Sequence, residues 1–193
     1  MYDTHDDKRT TKECITKAFL HMYETKPLGQ INVSDLAKAC NISRSTFYFY
    51  FDDIFSLYNE CERDLISGME AGLLEVILCT VGMDFEKFIE IYGDHLKGYI
   101  KNVYIYKCLL SGSEESSFRK AWFDSIRRYS AKSMNFSHDE FSSQRDNLTL
   151  FFAGGQLAML SNWVLSGCKE PVEHIANITA QALFHGAFLV SAK

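Results

Sequence analysis

Apolar residues recur along this chain at steps of three and four, the period of an α-helix, and no stretch alternates at the period of two that marks a half-buried strand. Ile15, Ala18, Phe19, Met22 and Tyr23 form one stripe of a first helix starting near Lys8. That helix must stop before Pro27, where Pro27-Leu28-Gly29-Gln30 is a turn. A second helix is expected over Asp35–Cys40, capped by Ser34, with Leu36, Ala37 and Cys40 facing inward. Asn41-Ile42-Ser43 then makes a three-residue turn. Ser43 caps a third helix beginning at Arg44, and Asp52 or Asp53 caps a fourth that reaches the neighbourhood of Cys79.

The helical pattern continues past residue 80. Asp84 to about Asn102 carries Phe85, Phe88, Ile89, Tyr92, Leu96 and Tyr99 on one side. Val103–Leu110 is a short apolar segment. Glu114–Asn135 presents Phe118, Trp122, Ile126 and Tyr129. Ser137 or His138 opens a long helix to about Gly167, and Glu170-Pro171 starts the last, with proline in the first turn, where its missing N–H costs nothing. The expectation is an all-α chain of about nine helices. Only two prolines, Pro27 and Pro171, interrupt its 193 residues.

Composition narrows the class. Hydrophobic residues make up 47% and charged residues 23% of the chain, which suits a packed globular fold and excludes disorder. The N-terminus is polar and acidic, unlike a signal or transit peptide, and no apolar run is read as approaching the roughly 18 to 20 residues that cross a bilayer. A cytoplasmic protein with no membrane partner is therefore expected. The six cysteines are scattered without a C-x-x-C pair and are expected to be reduced. Neither metal nor cofactor is called for by the six scattered histidines. No nucleophile elbow, zinc-protease or phosphate-loop spacing occurs, so an enzyme is not expected.

The stretch with functional content is Ile31 to Phe51. Two short helices joined by a three-residue turn form a helix-turn-helix. Ala37 allows the helices to approach, Ile42 points into their shared core, and Phe47 and Phe51 anchor the second helix at i and i+4. Successive helical residues lie about 100° apart, so the aromatic run cannot face inward throughout, and some of Tyr48, Phe49 and Tyr50 must be exposed. Arg44, Ser45 and Thr46 cover the start of this helix, the part that meets base edges in the major groove.

Thr46-Phe47-Tyr48-Phe49-Tyr50-Phe51, with Ala37 and the Asn-Ile-Ser turn before it, resembles the signature of the tetracycline-repressor (TetR) family of transcriptional regulators. The clear match covers roughly residues 8 to 58. Phe151-Phe152-Ala153-Gly154-Gly155 through Trp163 and Gly167, followed by Pro171-Val172-Glu173-His174-Ile175, resembles the last two helices of one subgroup. The resemblance implies a three-helix DNA-binding head over residues 1–52 and a helical ligand-binding and dimerising body over residues 53–193. It implies a homodimer that binds a palindromic operator DNA as a repressor and responds to a small-molecule effector. Tyr48 and Tyr50 are expected at phosphates, Ser43 and Thr46 at the DNA backbone, and Arg44, Ser45 and Phe49 at base edges. Through residue 58 the head carries seven Lys and Arg against eight Asp and Glu, and Asp52 and Ile54 stand where many members carry lysine. A basic arm of Lys8 and Arg9, with Lys12, is expected to supply positive charge.

In the body, Phe88, Tyr92, His95, Tyr99, Trp122, Phe123, Phe152 and Gln156 are candidates for the ligand pocket, mostly apolar with a few polar groups. Phe151, Gly155, Met159, Trp163, Ile175, Ile178 and Leu183 are candidates for a two-fold dimer interface. The alternative is a protein of the same fold that has left DNA for a protein partner, as the acidic head would suit.

Overall fold

Nine α-helices and no strand occur among the residues described by the computed structural model, which are 4–81, 84–111, 117–133 and 142–187. They fall into two compact units, Met1–Asp64 and Leu65–Lys193.

The first unit contains α1 (Thr4–Tyr23), a 3-10 turn at Leu28–Gln30, α2 (Val33–Ala39), α3 (Arg44–Tyr50) and the start of α4 (Ile54–Val81). Its core is the set of stripe residues Ile15, Phe19, Leu36, Phe47 and Leu57, all fully buried. The second helix begins two residues earlier than its sequence suggested, because Asn32 rather than Ser34 is the cap. The Asn32 Oδ1 accepts from the Asp35 N–H at 3.0 Å, and its Nδ2 donates to the Asp35 carboxylate at 2.9 Å. This reciprocal pair outcompetes a serine placed two residues later. For α4, the choice between two aspartates is resolved to Asp53, whose Oδ1 accepts from the Ser56 N–H at 2.7 Å.

The second unit contains the rest of α4, α5 (Phe85–Lys101), α6 (Val103–Leu110), α7 (Ser117–Ser133), α8 (Ser142–Leu165), α9 (Val172–Gln181) and a π-helical turn at Ala182–Ala187. Asp84 caps α5 by accepting from the Lys87 N–H at 3.0 Å. Pro171 precedes α9 as its cap residue. Ser137 and His138, the expected openers of α8, lie outside the described residues. In this unit α8 packs against α6 and α7, while α9 packs against α5.

Helix α8 corrects the reading of apolar length. Its stretch Asp146–Leu165 has a mean hydropathy of 1.3 and meets the length and composition of a membrane span, although only a third of it is buried in the fold. The sequence reading missed it because single polar residues interrupt the run. One side of the helix holds Ala153, Leu160, Trp163 and Val164 in the core, while Leu150, Phe151 and Leu165 are exposed on the other. An apolar helix with two apolar faces, only one of them covered within the chain, is what produces the high hydropathy.

Candidate functional site

The helix-turn-helix is built by local hydrogen bonds. As α2 ends, Cys40 N–H donates to Leu36 O at 3.0 Å and Ile42 N–H to Ala37 O at 2.9 Å. The chain reverses through Asn41 at φ 51°, a left-handed conformation that asparagine tolerates better than most residues. Ile42 is half-buried. Ser43 then caps α3, its Oγ accepting from the Thr46 N–H at 3.0 Å and pairing with the hydroxyls of Ser45 at 2.7 Å and Thr46 at 2.8 Å. The three hydroxyls expected at DNA thus already bond to one another.

Helix periodicity sorts the aromatic run. Phe47 is fully buried and Phe51 nearly so, their ring centroids 5.7 Å apart. Tyr48 is 49% and Phe49 67% exposed. Tyr48 is braced edge-on against Phe47 at 5.6 Å, and Phe49 against the half-buried Tyr50 at 5.1 Å. Arg44 and Ser45 are exposed and Thr46 is half-buried. Ser43, Arg44, Ser45, Tyr48 and Phe49 therefore share an open surface around the start and outer face of α3.

The basic arm is altered. Lys12 is ion-paired with Glu60 on α4 and lies over the Phe51 ring at 5.8 Å, so it supports the core of this unit. The side chains of Lys8 and Arg9 lie outside the described residues.

The second unit holds a partly open cavity of about 560 Å³, its mouth included. Helix α5 contributes Phe88, Tyr92, His95 and Tyr99, spaced four, three and four residues apart so that they form one inward stripe. Trp122, Phe152 and Gln156 also line it, as expected, whereas Phe123 does not. Residues that were not among the pocket candidates complete the wall: Met69, Leu73, Val76 and Ile77 from α4, Ser125, Ile126, Tyr129 and Ser130 from α7, Leu160 from α8, Thr179 from α9, and Leu183, which was a dimer candidate. They are ordinary helix-face residues, and only the packing of several distant helices shows that they meet.

The α5 rings form a ladder. Phe88 stacks on Tyr92 at 5.3 Å, Tyr92 on His95 at 5.9 Å, and Tyr99 on Tyr106 of α6 at 4.9 Å. The Tyr92 hydroxyl accepts from Gln156 Nε2 at 2.7 Å. Burial raises the Tyr92 pKa to about 12, against the lowering effect of hydrogen bonds with Thr179 and Gln156. Burial also pushes the Tyr99 hydroxyl well above its ordinary value, with Tyr106 and Tyr92 adding to the shift. For His95 desolvation acts in the other direction and lowers the pKa to about 4, so the ring is neutral at pH 7. Its room is supplied by Gly72 of α4, where a Cβ would stand 2.6 Å from His95 Nδ1.

The dimer candidates divide. Phe151 is 80% exposed, Gly155 and Ile178 are exposed, and Met159 is half-buried. Trp163, Ile175 and Leu183 differ from that expectation in being buried inside the unit, so in the single chain they belong to its core rather than its surface. Trp163 packs inward because its indole N–H donates to Glu170 O at 3.0 Å across the bend between α8 and α9.

A helix-turn-helix with aromatic side chains on the outer face of its second helix, in a chain that also carries a helical unit with an aromatic cavity, defines the class of helical DNA-binding transcriptional regulators. The comparisons with known proteins specify it further. Residues 86–185, just over half the chain, match the TetR-type family described as "Transcriptional regulator C-terminal region". The chain belongs to the TetR family of transcriptional regulators. It is 31% identical over 81 residues to the HTH-type transcriptional regulator EthR of Mycolicibacterium smegmatis, a match covering 38% of this chain and 37% of that one. It is 58% identical over 31 residues to EthR of Mycobacterium tuberculosis, covering 16% and 14% of the two chains. The matches thus span well under half of these relatives' length.

Solved structures share the fold. The dihydroxyacetone kinase operon activator DhaS superposes with a TM-score of 0.61 at 15% identity, covering 93% of this chain and 97% of its own. NalD of Pseudomonas aeruginosa, the secondary repressor of the MexAB-OprM multidrug efflux pump, does so at 0.60 and 14%, covering 94% and 97%. The fatty acid degradation regulator FadR from Bacillus halodurans gives 0.57 and 15%, covering 91% and 95%.

Proposed function

We propose that this regulator is a cytoplasmic, ligand-responsive repressor that binds a palindromic operator as a homodimer. Residues 1–52 serve as the DNA-binding head and residues 53–193 as the ligand-binding and dimerising body. The observation that carries the DNA reading is the sorting of the α3 aromatics: Tyr48 and Phe49 stand out to solvent beside a fully buried Phe47. Large exposed aromatics held by edge-on ring contacts form a preordered contact surface. Tyr48 and Tyr50 reach phosphates, Ser43, Thr46, Lys8 and Arg9 join them on the DNA backbone, and Arg44, Ser45 and Phe49 read bases. With seven basic against eight acidic residues through residue 58, few phosphates are neutralised, and operator affinity falls only gently with added salt.

A second copy of the chain is the partner that suits α8 and α9. Leu150, Phe151 and Leu165 are apolar and exposed on α8, with Gly155 beside them and Ile178 exposed on α9. A self-complementary two-fold contact would cover this face and pair two heads with the two halves of a palindrome. The cavity supports the effector reading, its lining being mostly apolar with a few polar groups. A ligand there lowers operator affinity only by as much as it prefers the released state to the DNA-bound one.

Selection of genomic fragments by the purified chain, with light scattering on the free protein, tests this reading. The expected result is a mass of two chains and a set of bound fragments sharing an inverted repeat. Fragments with no common sequence, or a monomer that binds none, would contradict it.

A further inference from the structure

Charge and hydrogen bonding in the cavity of the second unit specify what kind of ligand it admits, an argument that rests on its reading as the effector site. None of the described residues lining it is Asp, Glu, Lys or Arg. Glu70, next to the lining residue Met69, accepts from Ser125 Oγ and from Arg128, both at 2.9 Å. Its charge is matched before any ligand arrives. A charged ligand would therefore leave water without a counterion, which disfavours its entry. Aromatic faces can attract cations, but here Phe88, Tyr92, His95 and Tyr99 stand stacked or edge-on against one another, which occupies those faces.

Two buried polar atoms of the described lining lack a hydrogen-bond partner, Trp122 Nε1 and His95 Nε2, and of these the indole faces Tyr99, whose pKa it lowers. His95 Nε2 is buried and has no hydrogen-bond partner, while the neighbouring Tyr92 hydroxyl is bonded to Gln156. Buried nitrogens are seldom left unpaired, and a ligand group is one way to complete them. The imidazole is neutral, so it offers one hydrogen bond rather than a charge.

We propose that the cavity takes a small uncharged ligand, mostly aromatic or apolar, whose single hydroxyl or comparable hydrogen-bonding group pairs with His95 Nε2. His95 is then the residue that distinguishes a polar-tipped ligand from a plain hydrocarbon, and the absence of ionic side chains among the described lining residues excludes carboxylates and ammonium ions.

Four naphthalene probes test this by calorimetry on the full chain at pH 7: 1-naphthol, naphthalene, 1-naphthoate and 1-naphthylmethylammonium. The expected order is naphthol about tenfold tighter than naphthalene, the worth of one well-made buried hydrogen bond, with both ions weaker still. In His95→Leu, naphthalene should bind as before while naphthol loses its advantage. Gly72→Ala displaces the ring through a Cβ 2.6 Å from Nδ1 and should erase the same preference without removing the histidine. Tighter binding of either ion, equal binding of naphthol and naphthalene by the wild type, or binding of no probe would overturn the proposal. Adding naphthol to the operator complex separates the two readings. A probe that binds through His95 yet releases no DNA contradicts the effector reading and leaves the ligand class standing.

Discussion

In the unit of residues 1–64 the aromatic run is divided between core and solvent, with Phe47 fully buried and Phe49 67% exposed two residues later. In the unit of residues 65–193, Phe88, Tyr92, Tyr99, Tyr106 and Trp122 all turn inward. The difference follows from the lengths of the elements. Helix α3 has seven residues and one neighbouring face to cover, so periodicity alone decides which rings face out. Helix α5 has 17 residues and its stripe meets four other helices around a cavity. One surface is convex and fixed by bonds within a dozen residues. The other is concave and assembled from positions 69 to 183. An exposed aromatic surface and an enclosed aromatic cavity thus arise from the same residue types in different helix contexts.

The largest expected effect comes from removing the buried half of the α3 run. Phe47→Ala leaves a cavity in the core of the first unit and should cost about 3–5 kcal/mol in denaturant unfolding, taking DNA binding with it. A loss below about 1 kcal/mol would mean that Phe47 does not anchor α3.

Acid should act on the other unit. His95 titrates near 4 when folded and near 6.5 when unfolded, so between those values the unfolded chain holds the extra proton. Its contribution is complete above pH 6.5 and is lost as pH falls towards 4. Between pH 7.5 and 5 about 2 kcal/mol of stability should disappear. His95→Leu should flatten that part of the urea-unfolding pH profile, and an unchanged profile would place His95 in contact with water.

The smallest effect is at the cap. Ser43→Ala should destabilise the first unit by about 1 kcal/mol and free the Ser45 and Thr46 hydroxyls from their shared bonds. Thermal unfolding reads it directly, and a larger loss would mean that the hydroxyl cluster acts cooperatively.

Much of the first unit was legible in the sequence because its signals are local. Ser43 caps α3 as its spacing suggests, and Phe47 and Phe51 are the anchors. Asn32 was missed because a capping side chain is recognised only when the helix start is known, and Ser34 is an equally good residue two positions on. The ion pair of Lys12 was not visible because its partner Glu60 lies 48 residues away. In the second unit the α5 stripe was visible at helical spacing, and seven of the eight pocket candidates line the cavity. Trp163 on α8, Ile175 on α9 and Leu183 in the turn after it were assigned to a dimer surface because these last segments carry apolar residues on more than one side, and sequence alone does not say which side the chain covers itself. The role of Gly72 in making space for His95 had no signal beyond a glycine within a helix.

Operator affinity of Phe49→Ala and Tyr48→Ala, measured by fluorescence anisotropy beside their unfolding free energies, tests the central claim most directly. Both side chains are exposed, so stability should stay within about 0.5 kcal/mol of wild type while affinity for the selected operator falls about tenfold or more. Undiminished affinity in both variants would contradict the assignment of the outer face of α3 to DNA.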